Sequence, residues 1–317
     1  MRRQGWQHWG VALAYVYQVT KYDPADWNEA GRYVGPEDEM SDHGPKEAAY
    51  LAAVLAFAEE CGVTEVSVRQ PAVTGFVNFG LEPPIDGHGL AGLFAPDLSD
   101  FYDGAVVPIG VGVELVRAML RDNGAFCVLE VAGVFEVGVG YDQYMRIGSH
   151  IPCERAVAAT VELGLFPVVM DRQADEDEEF WPPADAGFWA KLSELVASRN
   201  TVLLQETPAR NLYRWHRLTS ESIEGLQLAP RSMLTVWPDL STDVEAVNAT
   251  VDGTCEYVWE DRAGRIQHIM LSEPEAGDFP DAVAALVIPI MLSEYHPLLE
   301  GALPDPDGVL RARWQAN

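Results

Sequence analysis

Five carboxylates stand side by side at Asp175, Glu176, Asp177, Glu178 and Glu179. Adjacent like charges repel and resist burial, so this run belongs on a solvated surface. There it offers a docking face for the lysines and arginines of a partner; it also reads as a plain linker between elements. Further acidic clusters, Glu37-Asp38-Glu39 with Asp42, and Asp97, Asp100 and Asp103, widen that surface. A second candidate is Gly138-Val139-Gly140-Tyr141-Asp142-Gln143-Tyr144-Met145. It lies at the end of an expected strand, where loops carry binding residues. Tyr141, Asp142 and Tyr144 suit a protein partner or a small polar ligand. The glycines do not match a dinucleotide fingerprint, because no third glycine follows and no helix opens directly. Close strand packing also explains them.

Other chemistries have weaker signals. Glu130 and Glu136, on neighbouring expected strands, suit acid–base work if they enter one cleft; outward-facing strand glutamates explain them equally. His150 and Cys153 are spaced i, i+3, and either can ligate zinc, but no second pair supports them. Asp305, Asp307 and Gly308 resemble the opening of a calcium loop, yet Val309, Leu310 and Arg311 fill the positions that follow. No GxSxG elbow occurs, and the seven histidines are scattered. We expect no metal site and no cofactor. Cysteines 61, 127, 153 and 255 show no CxxC spacing and read as reduced thiols.

Charge bounds the partners. Lys and Arg number 21 against 49 Asp and Glu, a formal net charge of −28 on 317 residues. Nucleic acid and anionic membranes are therefore not expected partners, whereas a basic protein is. An acidic proteome produces the same imbalance without any partner. Nine Trp, eleven Tyr and eleven Phe are far too many for a disordered acidic chain, so the protein folds. The start, Met1 to Trp6, lacks a continuous apolar segment, and no run of about 18 apolar residues occurs. Neither a secretory signal nor a membrane span is expected.

The elements that must position these residues follow from periodicity. Val11–Val19 reads as a strand. Leu51, Val54, Leu55 and Ala58 mark one helix face, closed by Gly62. Thr64–Val68 is a strand and 71–104 a long irregular connection. From 111 onward the order is helix, strand, strand, helix, strand, with a hairpin at Ala132-Gly133 and a helix stop at Gly164. A helix over 185–196 and a strand over 201–205 follow. The C-terminal part reads as strand 233–236, a helix begun by Thr242 and Glu245, strands 255–259 and 266–271, a helix from Asp278 towards Tyr295, and a last strand 309–314. That is the βαββαβ order of a ferredoxin-like sandwich. The expected fold class is therefore α+β, as two α/β sandwich domains: residues 1–215, and a ferredoxin-like domain over 216–317.

Four segments also resemble those of an uncharacterised acidic actinobacterial protein family: Lys21-Tyr22-Asp23-Pro24, Gly140-Tyr141-Asp142-Gln143-Tyr144-Met145, Trp237-Pro238-Asp239-Leu240 and Leu303-Pro304-Asp305-Pro306-Asp307-Gly308-Val309. The resemblance implies a bacterial cytoplasmic protein and carries over no catalytic residues. Together these observations lead us to expect a non-enzymatic module whose acidic surface binds and neutralises a cationic protein, as an immunity protein or toxin inhibitor does. The alternative is a small-ligand regulator or carboxylate-based enzyme with its site near 130–144.

Overall fold

The computed structural model describes residues 13–36, 44–74, 89–170, 181–250, 253–271, 279–290 and 296–312. The protein is α+β, with mostly antiparallel sheets and few helices. The chain divides into two compact units: Met1–Thr74 with Ile85–Glu178, and Gly75–Pro84 with Glu179–Asn317. Among the described residues no helix is long and apolar enough to cross a membrane.

The first unit contains β1 (Tyr15–Thr20), α1 (Gly44–Glu60), β2 (Glu65–Val73), β3 (Val106–Pro108), α2 (Ile109–Leu120), β4 (Ala125–Val131), β5 (Phe135–Val139), β6 (Met145–Ser149), α3 (Glu154–Glu162) and β7 (Phe166–Val169). Its seven strands form one sheet in the order β3-β2-β4-β5-β6-β1-β7, and every neighbouring pair is antiparallel. Period-2 alternation gives the sheet two unlike faces. One is apolar: Val66, Val68, Leu129, Val137, Ile147 and Val19 are essentially inaccessible. Helices cover this face. Gly112 of α2 comes so close to it that a Cβ there would lie 2.9 Å from Val66. The rings of Tyr17 and Phe57 bring β1 and α1 together, with centroids 5.3 Å apart. The other face carries Gln18, Arg69, Glu130, Glu136 and Arg146 at alternate positions. Edge strand β7 contains Pro167, which pairs with Val19 of β1.

The helix stops follow their sequence signals. Gly62, after α1, and Gly164, after α3, have φ of +71° and +77°, the left-handed region that glycine enters without a Cβ penalty. Strand β6 was not expected from sequence, because Arg146 and Gly148 interrupt its apolar pattern.

The second unit contains α4 (Ala186–Arg199), β8 (Val202–Ala209), β9 (Leu212–Leu218), β10 (Met233–Pro238), α5 (Val244–Asn248), β11 (Cys255–Glu260), β12 (Ile266–Leu271), β13 (Ala284–Pro289) and β14 (Leu299–Ala302). Two antiparallel sheets result, β14-β10-β8-β9 and β12-β11-β13. One arrangement occurs twice. In α4-β8-β9-β10 and again in α5-β11-β12-β13, a helix leads into a central strand, the next strand makes a hairpin with it, and the third pairs on its other side. Leu203 and Trp237 of one sheet pack against Val258, Ala284 and Ile288 of the other. On the outer face of the first sheet, Phe188, Leu192 and Val196 of α4 meet Val202, Leu204, Leu234 and Val236. Each such buried side chain contributes about 1.5–3 kcal/mol. Val244 and Val247 of α5 cover Cys255, Tyr257 and Ala285 on the outer face of the second.

Four details of the C-terminal part differ from expectation. The segment expected as a helix from Asp278 to Tyr295 is a strand over Ala284–Pro289. An eleven-residue apolar run suits either element, and here Val287 and Ile288 favour extended backbone while pairing with β11 satisfies their peptide groups. The strands of the expected ferredoxin-like βαββαβ sandwich consequently fall into two sheets, not one. Among the described residues the last strand is β14, and 309–312 of the expected strand over 309–314 are not extended in a sheet. The expected domain border between 215 and 216 falls inside β9, whose hairpin partner is β8.

Candidate functional site

The turn after β1 is built by short side chains. Asp23 caps a 3-10 turn over Pro24–Asp26 by accepting from the Ala25 amide at 2.8 Å. Asn28 accepts from the amides of Ala30 and Arg32 at 3.1 and 3.0 Å, folding 27–33 back on itself. An isolated bridge then joins Trp27 to Tyr33. Gly35 leaves room for its neighbours, since a Cβ there would displace the Tyr33 hydroxyl and the Asp26 carboxylate.

These turns gather aromatic rings around Asp142. Tyr22 donates its hydroxyl hydrogen to Asp142 Oδ1 at 3.1 Å. Its ring lies 4.9 Å from Tyr33, 5.8 Å from Tyr144 and 6.5 Å from Trp27. Trp27 and Tyr33 are 5.7 Å apart. Trp27 is 42% exposed, a large value for an indole packed against neighbours. Lys21 Nζ stands 5.2 Å from the Tyr22 ring centroid, so the cluster already accommodates one ammonium group. Asp142 and Gln143 both have φ of +56°, which L side chains enter only under constraint. Gln143 is anchored there by donating to Leu120 O at 2.8 Å. In sequence, Asp23, Asp26 and Glu29 accompany Lys21 and Arg32 in the segment that carries Tyr22, Trp27 and Tyr33. One exposed indole over half-buried and buried tyrosines, beside the Asp142 carboxylate, forms a surface suited to cationic side chains.

Of the residues singled out from sequence, Asp142 and Tyr144 converge on this cluster. Tyr141 lies in the same 3-10 turn, Tyr141–Gln143, and its side chain is outside the described set. The run Asp175, Glu176, Asp177, Glu178 and Glu179 lies outside the described residues, as do Glu37, Asp38, Glu39 and Asp42. Tyr22, Trp27 and Tyr33 were missed. The available signal was three large aromatic residues within a polar, turn-rich segment of twelve residues, where no core element needs them.

Glu130 and Glu136 are directly opposed cross-strand partners on β4 and β5, and both are buried. Arg146 of β6 donates to Glu136, with both side chains under 10% exposed. One buried nitrogen of that guanidinium, Nη1, has no hydrogen-bond partner among the described residues. Asp103, expected on the acidic surface, is 1% exposed instead; it pairs with Arg69 at 2.9 Å and accepts from the Gln70 amide at 2.8 Å. Burial of Arg69 required a partner, and Asp103 supplies it. Asp97 and Asp100 accept from the amides of Ser99 and Ala95, at 3.1 and 2.9 Å, and so shape their loop.

His150 and Cys153 do not converge: His150 Nδ1 lies 3.1 Å from Val134 O, while Cys153 faces Cys61. Asp305 and Asp307 are both held by arginines. Arg231 and Arg311 bond to Asp305, and Arg311 also bonds to Asp307. Hydrogen bonds from Arg311 hold the Asp307 carboxyl down at about 2. Among the described residues no three His, Cys, Asp or Glu side chains converge as metal ligands.

Compared with protein-family models, curated proteins and solved structures, the chain matches none.

Proposed function

We propose that this protein is a non-enzymatic binding module that holds a cationic protein on an acidic, aromatic face, as a bacterial immunity protein or inhibitor of a basic toxin does. The observation that carries this reading is the Tyr22–Asp142 hydrogen bond inside the ring cluster of Trp27, Tyr33 and Tyr144. Trp and Tyr are the commonest binding anchors, because they bury much area at little entropic cost. The Asp142 carboxylate bonded to Tyr22 favours Lys and Arg. The net charge of −28 adds long-range attraction, which speeds encounter with a basic cleft. A cytoplasmic location belongs to the same proposal and rests on the family resemblance alone.

The test is capture of cationic proteins from the native organism on the immobilised chain, then titration of the captured species. Affinity should fall at least tenfold between about 50 mM and about 500 mM salt. Binding indifferent to salt, or unchanged in Trp27→Ala, sinks the reading.

A second reading, carboxylate-based catalysis, is favoured by the opposition of Glu130 and Glu136. The ion pair from Arg146 weakens it, since the Glu136 carboxylate is already occupied by a guanidinium. A hydrolytic activity abolished in Glu130→Gln while partner binding persists would reverse the order of the two.

A further inference from the structure

Cys61 and Cys153 are 92 positions apart in sequence, and the fold brings their Sγ atoms to 3.5 Å. Both thiols are held by ordered backbone. Cys61 follows α1 directly, its amide bonded to Phe57 O at 3.0 Å. Cys153 immediately precedes α3 with φ 45° and ψ 47°. Glu60 Oε2 accepts from the Ala156 amide at 2.7 Å, joining the end of α1 to the first turn of α3. The Tyr17 hydroxyl donates to Pro152 O and the Ser149 hydroxyl to Ile151 O, which fixes the approach to Cys153. A disulfide is about 2.05 Å long, so side-chain rotation with a small backbone adjustment closes the gap. Cys153 is fully buried while Cys61 is partly exposed. An oxidant therefore meets Cys61 first.

We propose that Cys61 and Cys153 are a modification site: a hydroperoxide oxidises them to an internal disulfide that ties α1 to α3. The Cys61 thiolate attacks one peroxide oxygen, the O–O bond breaks, and Cys61 becomes a sulfenic acid. The displaced oxygen takes up the thiol proton and, for hydrogen peroxide, leaves as water. The Cys153 sulfur then attacks the Cys61 sulfur. The S–O bond breaks, the S–S bond forms, and the hydroxyl leaves as a second water with the Cys153 proton. Two electrons pass from the two thiols to the peroxide. Glu60 of α1, Glu154 and Arg155 of α3, and Tyr17 of β1 surround the pair. Burial, then Cys153 and Glu60, pushes the Cys61 thiol up to about 12. Thiolate is scarce at neutral pH, so the reaction is slow there and accelerates by about tenfold per pH unit between about pH 7 and 9.

The experiment treats the full chain with hydrogen peroxide, blocks remaining thiols under denaturing conditions, and maps the peptides. The expected result is one cross-link, Cys61 to Cys153, with loss of two hydrogens and reversal by dithiothreitol. Cys127 and Cys255 should then be alkylated. The thermal midpoint should rise by roughly 5–15 °C on oxidation, because a long loop is closed. In Cys153→Ser, dimedone should trap sulfenic acid on Cys61. Should that variant not fold, the wild-type peptide map decides alone. A cross-link through Cys127 or Cys255, sulfinic acid on Cys61 without a cross-link, or four free thiols after treatment overturns the proposal.

Discussion

Arg121 grips Glu47 with two hydrogen bonds, Nε to Oε2 at 2.7 Å and Nη2 to Oε1 at 2.9 Å. Arg117 bonds to the same carboxylate, so one buried acid on α1 takes two guanidinium groups from α2. Burial pushes the Glu47 carboxyl up, but the hydrogen bonds from Arg121 and Arg117 outweigh it and hold the group below its ordinary value. A depressed folded value means that the pair stabilises the protein above the unfolded carboxylate range. That contribution is lost as pH falls through the folded value. Glu47→Gln should cost about 1–3 kcal/mol at neutral pH, the range for a buried charged bond whose partners are a third exposed. Urea denaturation checks this, and the gap between wild type and variant should shrink as pH falls below the ordinary carboxylate range.

The aromatic face predicts an uneven mutational response. Trp27→Ala and Tyr33→Ala should each weaken binding of a cationic partner by about 2 kcal/mol, close to thirtyfold, and leave the unfolding midpoint nearly unchanged. Asp142→Asn should mainly slow association and flatten the salt dependence. Surface plasmon resonance at several salt concentrations separates these effects.

Asp122 closes α2 with φ of +47°, and its amide bonds to Met119 O at 3.2 Å. Its carboxylate also stands at the negative end of the helix dipole. Asp122→Gly removes both penalties and should stabilise the protein by about 0.5–1 kcal/mol, read as a higher urea midpoint at constant slope.

The Asp307 carboxyl should titrate at about 2 by NMR, because Arg311 and the Val309 amide both bond to it. In Arg311→Ala it should return towards the ordinary aspartate range. An Asp307 titrating normally in the wild type would mean that the arginine bridge is absent in solution.

Leu192 of α4 is fully inaccessible within the core of the second unit. Leu192→Ala should cost about 2–5 kcal/mol, and the fluorescence of neighbouring Trp189 should report the earlier transition.

Periodicity carried most of the first unit. The face of α1, the hairpin at Gly133 and the stops at Gly62 and Gly164 were legible because each is a local rule of spacing or of positive φ. The strand at Ala284–Pro289 was not, since an apolar run holds no period to distinguish helix from strand. The repeated helix-and-three-strands arrangement was also hidden. The two copies share pairing geometry, while their central strands, Val-Leu-Leu-Gln-Glu-Thr-Pro-Ala (Val202–Ala209) and Cys-Glu-Tyr-Val-Trp-Glu (Cys255–Glu260), share little composition. At the candidate site Asp142 and Tyr144 were visible from strand-end logic. Tyr22 joins them only through contacts over more than a hundred positions, which no local pattern encodes, and Trp27 and Tyr33 follow through their packing on Tyr22.

Pro167 gives the outer border of the large sheet a defensive property. The Met170 amide donates to Val16 O, so by alternation the amide positions of 168 and 170 face β1 while those of 167 and 169 face away. Proline at 167 removes one of those two outward donors. At the opposite border β3 is only three residues long. A foreign strand seeking to extend the sheet therefore meets a broken row of donors on one side and a stub on the other, so self-templated fibre growth along these borders is discouraged.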